Sequence, residues 1–428
     1  MTNLYDTLAE RGMVHDATPA AAERLRAGAV TAYIGFDPTA DSLHVGNLVP
    51  VMGLAWLQRS GGTPIALLGG GTAMVGDPSG KRAERPVLAV ETIDANVARI
   101  RGQLSRFLRF EGDNAARLVD NAEWLRSVPL MEFLRDTGKH FTVNYMLQKE
   151  SVRSRMDTGI SFTEFAYMLV QAYDFWRLWT TGHVELQMGG SDQWGNITAG
   201  IELIARREGA TAHGLVFPLL TTATGAKFGK SETGNVWLDP AKTPPTSFYD
   251  FWLNTDDRDV ESFLKIFTFL PVDEIAALVR EHEADPGARR AHRRLAWEVT
   301  AMVHGEQIAQ DVVATKQALF GARGQGSTAS GPGVTLDALL VAVPEVNRAA
   351  VTSAELDTGL SLVDALVRTG LASSKADARR GIQGKGFYVG DEQVGDVDRR
   401  LGAADVRDGT HVLLRKGKKS YGVLLIHR

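Results

Sequence analysis

Two short segments hold residues suited to handling phosphate. The first, His44-Val45-Gly46-Asn47, follows a run ending Tyr33-Ile34-Gly35-Phe36 and a polar stretch that begins at Asp37, and it opens an apolar helical pattern. Backbone N–H groups at a helix N-terminus favour phosphate oxygens, Gly46 lets a ligand approach the backbone, and His44 can donate a hydrogen bond to a developing negative charge. Taken alone, the same residues also fit a plain capped strand-to-helix connection. The second segment, Lys227-Phe228-Gly229-Lys230-Ser231, comes 183 residues later. Two lysines three apart on a glycine-containing loop make a movable cation clamp for the β- and γ-phosphates of a nucleotide, although short lysine clusters also occur as solvated loops. Gly76-Asp77-Pro78-Ser79-Gly80-Lys81 imitates a phosphate-binding P-loop, but its spacing is one residue short and Arg82 stands where Ser or Thr would bind magnesium. The P-loop reading is rejected, and Lys81, Arg82 and Arg85 remain as a basic loop.

Three further constellations carry polar groups. Ser161-Phe162-Thr163-Glu164 has the pattern of a capping box and predicts a helix that continues to Thr180. Within it Tyr167, Gln171 and Asp174 fall at i, i+4 and i+7 and share one face, either a polar pocket or a self-satisfied hydrogen-bond network. Met188-Gly189-Gly190-Ser191-Asp192-Gln193-Trp194-Gly195-Asn196-Ile197 places glycines after an apolar run, where a nucleoside can come close and Asp192 can accept from ribose hydroxyls. A turn with Asp192 or Asn196 as cap is the plainer alternative. Near the C-terminus, Lys375, Arg379, Arg380 and Lys385 lie on or beside a short helix that can meet RNA phosphates, or is simply an exposed charged face.

These residues need a scaffold, and the apolar pattern supplies one. Thr31 to Phe36, Pro64 to Leu68, Val184 to Met188 and Leu215 to Leu220 read as strands separated by amphipathic stretches, the pattern of a parallel sheet covered by helices. Ligands of such sheets bind at the carboxyl ends of strands, which selects 37–47, 69–85, 189–193 and 221–231. Beyond Pro240 the pattern turns helical over 261–269, 273–283 and 288–319, and Gly321 to Gly333 is Gly/Ser-rich and reads as a linker. The 428 residues suit two or three domains. We expect 1–240 to form an α/β catalytic domain, 241–320 a helical domain, 321–355 a linker region and 356–428 a small α+β domain. The absence of cysteine excludes disulfides, thiolate metal sites and cysteine nucleophiles, and the ten histidines show no metal-binding spacing. The net charge of −4 gives no global sign of nucleic-acid binding, but 375–419 carries eleven Lys/Arg against seven Asp/Glu. No apolar run approaches the roughly 18 residues of a membrane span, and the N-terminus lacks signal-peptide features, so a cytoplasmic protein is expected.

In their order along the chain, the His44 and Lys227 segments resemble the HIGH-type and KMSKS-type signatures of class I aminoacyl-tRNA synthetases. Asn47 replaces the second histidine, and Phe228-Gly229 replaces Met-Ser. The Tyr167/Gln171/Asp174 spacing and the Gly189 to Asn196 segment resemble the tyrosine and ribose sites of the bacterial-type tyrosyl-tRNA synthetase family, and the C-terminal stretch is similar to its small RNA-binding domain. The resemblance implies a Rossmann-like catalytic domain that activates tyrosine with ATP and Mg²⁺, with no tightly bound protein-liganded metal, and then charges tRNA(Tyr). It further implies that Tyr33 and Asp174 hold the phenol, and that Asp77, Tyr167 and Gln171 hold the ammonium group, with Gln193 near the carboxylate. His44, Asn47, Lys81, Arg85, Lys227 and Lys230 would act on the phosphates. Asp37, Gly46, Gly190, Asp192, Phe228, Gly229 and Ser231 would complete the ATP site. A homodimer is implied as well. The rivals are a tryptophanyl-type enzyme and a synthetase-derived RNA-binding protein without activity.

Overall fold

The computed structural model describes residues 3–79, 88–157, 159–225, 228–231, 234–320, 336, 340, 347–390, 392–417 and 420–427. Contacts divide the chain into two compact units, Met1–Lys242 with Phe251–Val303, and Thr243–Asp250 with His304–Arg428. The first unit is built on a six-stranded sheet of β1 (Asp16–Ala17), β2 (Thr31–Phe36), β3 (Thr63–Leu68), β4 (Arg117–Asp120), β5 (Leu186–Gly190) and β6 (His213–Phe217). Their order is β1-β6-β5-β2-β3-β4, with β1 antiparallel to β6 and every other pair parallel. Parallel strands require crossovers that cover both faces, which is why β3 and β6 are nearly continuous apolar runs with almost every residue buried. From β2 the chain moves outward to β3 and β4, and from β5 it moves outward the other way to β6. The switch therefore falls between β2 and β5, where the carboxyl ends of neighbouring strands part and leave a crevice.

The strand over 31–36 forms where expected, whereas β5 and β6 are displaced by about two residues from the apolar runs. β6 stops at Phe217 because Pro218 has no N–H to give to the ladder. β4 was not foreseen, since a four-residue edge strand with two apolar side chains barely rises above background. The long polar-lined helix runs over Phe162–Gly182 with Ser161 as its cap: the Ser161 hydroxyl accepts from the Glu164 N–H. The carboxylate of Glu164 receives Arg155 at 2.9 and 3.2 Å, a buried ion pair that sequence spacing does not announce. Helices Val260–Phe267 and Val272–Ala284 follow, and the helical stretch over 288–319 is broken at Gly305, whose φ of +101° cannot continue a helix.

Most of the expected linker, 321–335, lies outside the described residues. The C-terminal module has a five-stranded sheet in the order Glu392–Val394, Phe387–Val389, His411–Lys416, Ser420–His427, Arg348–Thr352. The last pair is parallel, so this sheet draws in residues from as early as Arg348. Helices Leu362–Arg368 and Lys375–Gln383 contribute to its core, which includes Leu362, Leu366, Ile382, Phe387, Leu414 and Leu424. Among the described residues no helix is long and apolar enough to cross a membrane.

Candidate active site

At the parting of β2 and β5 lies a cleft of about 1020 Å³. Tyr33, Asp37, His44, Gly46, Asn47, Asp77, Tyr167, Gln171, Asp174, Gly190, Asp192, Gln193 and Phe228 all border it. Residues read separately from five stretches of sequence thus converge on one cavity.

Among its deeply buried polar groups is Asp174, 1% exposed. The Trp124 indole N–H donates to Oδ1 at 2.7 Å and the Asn121 amide donates to Oδ2 at 2.8 Å. Asn121 is itself fixed: it donates to the Thr72 hydroxyl at 3.0 Å and accepts from the Gly71 N–H at 2.7 Å. Burial raises the Asp174 carboxyl to about 7, and the nearby charges of Asp37 and Asp120 add to this, against the opposing hydrogen bonds from Asn121 and Trp124. The Tyr33 hydroxyl is buried and has no partner among the described residues, and its ring packs on Phe175 at 5.4 Å between centroids. Burial first, and the charge of Asp174 second, push its pKa well above the ordinary tyrosine value, so it stays a neutral hydroxyl. A buried hydroxyl in need of a partner beside a buried carboxylate matches the donor-and-acceptor character of a phenol.

Next to this pair is an amide–carboxylate network. The Gln193 amide donates to Asp77 Oδ2 at 2.7 Å, the Ser79 N–H donates to Oδ1 at 2.9 Å, and the Gln171 amide donates to Gln193 Oε1 at 3.4 Å. Asn196 is the hub, with its amide within 3.1–3.5 Å of acceptors on Gln171, Gln193, Ser79 and Asp77. Gln193 and Asp192 sit on the short turn Ser191–Gln193 that leaves β5, and Tyr167 is buried on the long helix. The network holds a carboxylate and three amide groups in one place, a set able to receive the ammonium and carboxylate of an amino acid.

The two signature segments meet. His44 caps the turn Val45–Asn47: its Nδ1 accepts from the Gly46 N–H at 3.0 Å, while the Asn47 side chain accepts from the His44 N–H at 3.0 Å. Asn47 therefore fixes the histidine backbone. A Cβ on residue 46 would stand 2.7 Å from the His44 ring, so glycine is required here for the histidine's own geometry as well as for ligand access. The His44 segment pairs with 236–238 through Val45 N–H to Val236 and Leu238 N–H to Leu43, at 2.9 Å each, and Val236 N–H donates to Gly229 at 3.1 Å. Gly229, at φ +89°, lies so near that its Cβ would be 3.2 Å from the Gly46 nitrogen. Phe228 borders the cleft, but its ring is anchored in an aromatic cluster, stacked on Phe267 at 5.2 Å and edge-on to Phe263 at 4.9 Å. Lys81, Arg82, Arg85 and Lys227 lie outside the described residues, and of Lys230 and Ser231 only the backbone is described.

In the C-terminal module Lys375, Arg379, Arg380 and Lys385 are all exposed, because Ala378 and Ile382 turn the other face of their helix into the core. Lys375 also pairs with Asp364 at 2.7 Å. Sequence reasoning missed Asn121 and Trp124 and took Asn196 only for a cap. The strand-end rule would have selected Asn121 had β4 been recognised, since Asn121 directly follows Asp120. Trp124 and Asn196 carried no comparable signal.

A parallel nucleotide-binding sheet, a switch-point cleft and two signature segments in contact across it define a class I aminoacyl-tRNA synthetase core. A family model described as tRNA synthetases class I (W and Y) matches residues 25–321, and one for the tyrosine–tRNA ligase SYY-like C-terminal domain matches residues 343–424. The tyrosine–tRNA ligase of Anaeromyxobacter dehalogenans (strain 2CP-C) is 58% identical over 426 residues, covering 100% of both chains. That of Roseiflexus castenholzii is 52% identical over 428 residues, covering 99% of both. The crystal structure of a C-terminally truncated mitochondrial tyrosyl-tRNA synthetase from Aspergillus nidulans superimposes with a TM-score of 0.68 at 33% identity, covering 75% of this chain and 95% of that one. The chain belongs to the tyrosine–tRNA ligase family of class I synthetases.

Proposed function

We propose that the cleft catalyses both steps of tyrosine–tRNA ligation. A carboxylate oxygen of tyrosine attacks the α-phosphorus of ATP, the bond to the bridging β-phosphate oxygen breaks, and pyrophosphate leaves with its Mg²⁺. A hydroxyl of the 3′-terminal ribose of tRNA(Tyr) then attacks the adenylate carbonyl, and AMP leaves. Tyr33 and Asp174 take the phenol hydroxyl, and Asp77, Tyr167, Gln171 and Gln193 orient the amino acid backbone. Asp192 takes the ribose, with Asp37 and Gly190 beside the nucleotide. His44, steadied by Asn47 and Gly46, stabilises charge on the phosphates together with Lys81, Arg85, Lys227 and Lys230. No protein nucleophile is needed, because positioning and electrostatic stabilisation lower the barrier.

The observation that carries the reading is the buried Tyr33–Asp174 pair, with Asp174 held at both oxygens and the Tyr33 hydroxyl in want of a partner. Phenylalanine would leave the buried Tyr33 hydroxyl unsatisfied and give Asp174 no donor of its own, which penalises it without any steric clash. In the C-terminal module, Lys375, Arg379, Arg380 and Lys385 meet tRNA phosphates. The working protein is a cytoplasmic homodimer. In support of a homodimer, Leu130, Met131, Leu134, Val143 and Phe162 are all exposed, Met131 and Phe162 by three quarters or more. Pyrophosphate exchange with a panel of amino acids tests the assignment. Exchange with tyrosine alone is expected, whereas exchange with tryptophan, or with none, overturns it.

A further inference from the structure

Away from the cleft, the turn before helix Val260–Phe267, the last turn of helix Val272–Ala284 and the first turn of helix Arg290–His304 bring Asp257, His282 and His292 together. The ring Nε2 atoms of His282 and His292 lie 3.4 and 3.1 Å from the same Asp257 Oδ1, and the Thr255 carbonyl oxygen is 3.1 Å from His292 Nε2. From these positions we propose that Asp257, His282, His292 and the Thr255 carbonyl form a binding site for a Zn²⁺-class transition-metal ion. The site is separate from the nucleotide-bound Mg²⁺ and from the tyrosine and ATP cleft.

The distances carry the argument. A tetrahedral zinc site with arms of about 2.0–2.1 Å has ligand–ligand edges of about 3.3 Å, and the three measured separations fall around that value. As hydrogen bonds they are weak: two imidazoles address one carboxylate oxygen, at spacings longer than the roughly 2.7–2.9 Å of charge-assisted pairs. The residues are 5% and 0% exposed, and the Nδ1 atom of each is buried with no partner among the described residues. Two imidazoles, a carboxylate and a carbonyl suit zinc far better than magnesium, which demands oxygen ligands and keeps its waters. Asp257 has a 57% exposed side chain and provides the entry path. Among the described residues, the cation recorded beside Asp257 is Arg289: its Nη1 stays 3.8 Å from Asp257, and its Nη2 donates to the Leu253 and Thr255 carbonyls at 2.8 and 3.2 Å.

The role of the ion is structural. The same turn carries Asp259, whose carboxylate accepts from the Ala223 N–H at 2.9 and 3.1 Å, so a metal on Asp257 stiffens the support of the loop that leads to the second signature segment.

The test uses the full-length protein stripped of metal and titrated with Co²⁺, then with Zn²⁺. One equivalent of Co²⁺ with the intense visible absorption of a tetrahedral site is expected, displaced by Zn²⁺ but not by excess Mg²⁺. Asp257→Asn and His282→Gln should each weaken Zn²⁺ binding by about tenfold or more, and Zn²⁺ should raise the Tm of the wild type but not of Asp257→Asn. Pyrophosphate exchange by Asp257→Asn should be unchanged, which separates this outcome from failure of the proposed enzyme function. Absence of stoichiometric Co²⁺ uptake by the wild type overturns the proposal, and so does equal affinity in Asp257→Asn. If His282→Gln does not fold, Asp257→Asn decides alone, because that side chain is exposed and its removal leaves the core intact.

Discussion

Asp174, which we propose takes the substrate phenol, is held in place by side chains that need not touch the substrate. Its carboxylate is aimed by Asn121 and Trp124, and Asn121 is in turn locked to Thr72 and Gly71. Hydrogen bonds to charged groups contribute roughly 1.5–3 kcal/mol. Asn121→Ala should therefore lower kcat/KM for tyrosine by about ten- to a hundredfold and narrow the preference over phenylalanine, read by pyrophosphate exchange at saturating ATP. An unchanged value would show that Asp174 is positioned by packing alone. The same carboxyl sets a pH dependence. Raised to about 7 by burial, it is ionised above that pH and protonated below it, where it offers a weaker acceptor to the phenol. Because kcat/KM reports the free enzyme, its value for tyrosine should fall as pH drops through about 7, while an Asp174→Asn variant should lack that limb. Asp174 was legible in the sequence by helical spacing, and Tyr33 only through the family resemblance. Asn121 and Trp124 were not, because each lies fifty or more residues from Asp174 and belongs to the short turn of helix after an edge strand too short to recognise.

At the level of elements, the two signature segments act as one device because 43–45 pairs with 236–238 and Gly229 approaches Gly46. The aromatic cluster around Phe228 anchors the lysine-bearing loop, and its Gly229 backbone reaches the histidine turn. Gly229→Ala would place a methyl group 3.2 Å from the Gly46 nitrogen at a φ of +89°, a backbone region that costs a non-glycine residue about 1–2 kcal/mol. The expected result is a kcat for adenylate formation lower by roughly tenfold, with KM for tyrosine unchanged because the Asp174 end is untouched. A rise in tyrosine KM alone would contradict this division of labour. Sequence spacing named both segments and the phosphate chemistry expected of them. It could not show Asn47 holding the His44 backbone or Phe228 serving as an anchor, since both depend on contacts made after folding.

For the whole molecule, two predictions separate assembly from chemistry. Leu130→Glu with Met131→Lys, both on the exposed face of helix Leu130–Asp136, should reduce the mass seen in sedimentation equilibrium from dimer to monomer. An unchanged mass would locate the interface elsewhere. Deletion of 347–428, a module with its own apolar core, should leave pyrophosphate exchange within about twofold and reduce tRNA charging by tenfold or more, with a shallower dependence on salt. Taken by itself, the sequence determined the class of sheet, the order of the signature segments and the shared helix face of Tyr167, Gln171 and Asp174, because strand and helix periods and glycine placement are local properties of the chain. Only the tertiary structure decided what surrounds those residues. The clamp on Asp174, the Asn196 hub, the contact between Gly46 and Gly229 and the meeting of Asp257 with His282 and His292 all join positions whose separation in sequence carries no period. Such contacts are set by how the sheet and helices pack.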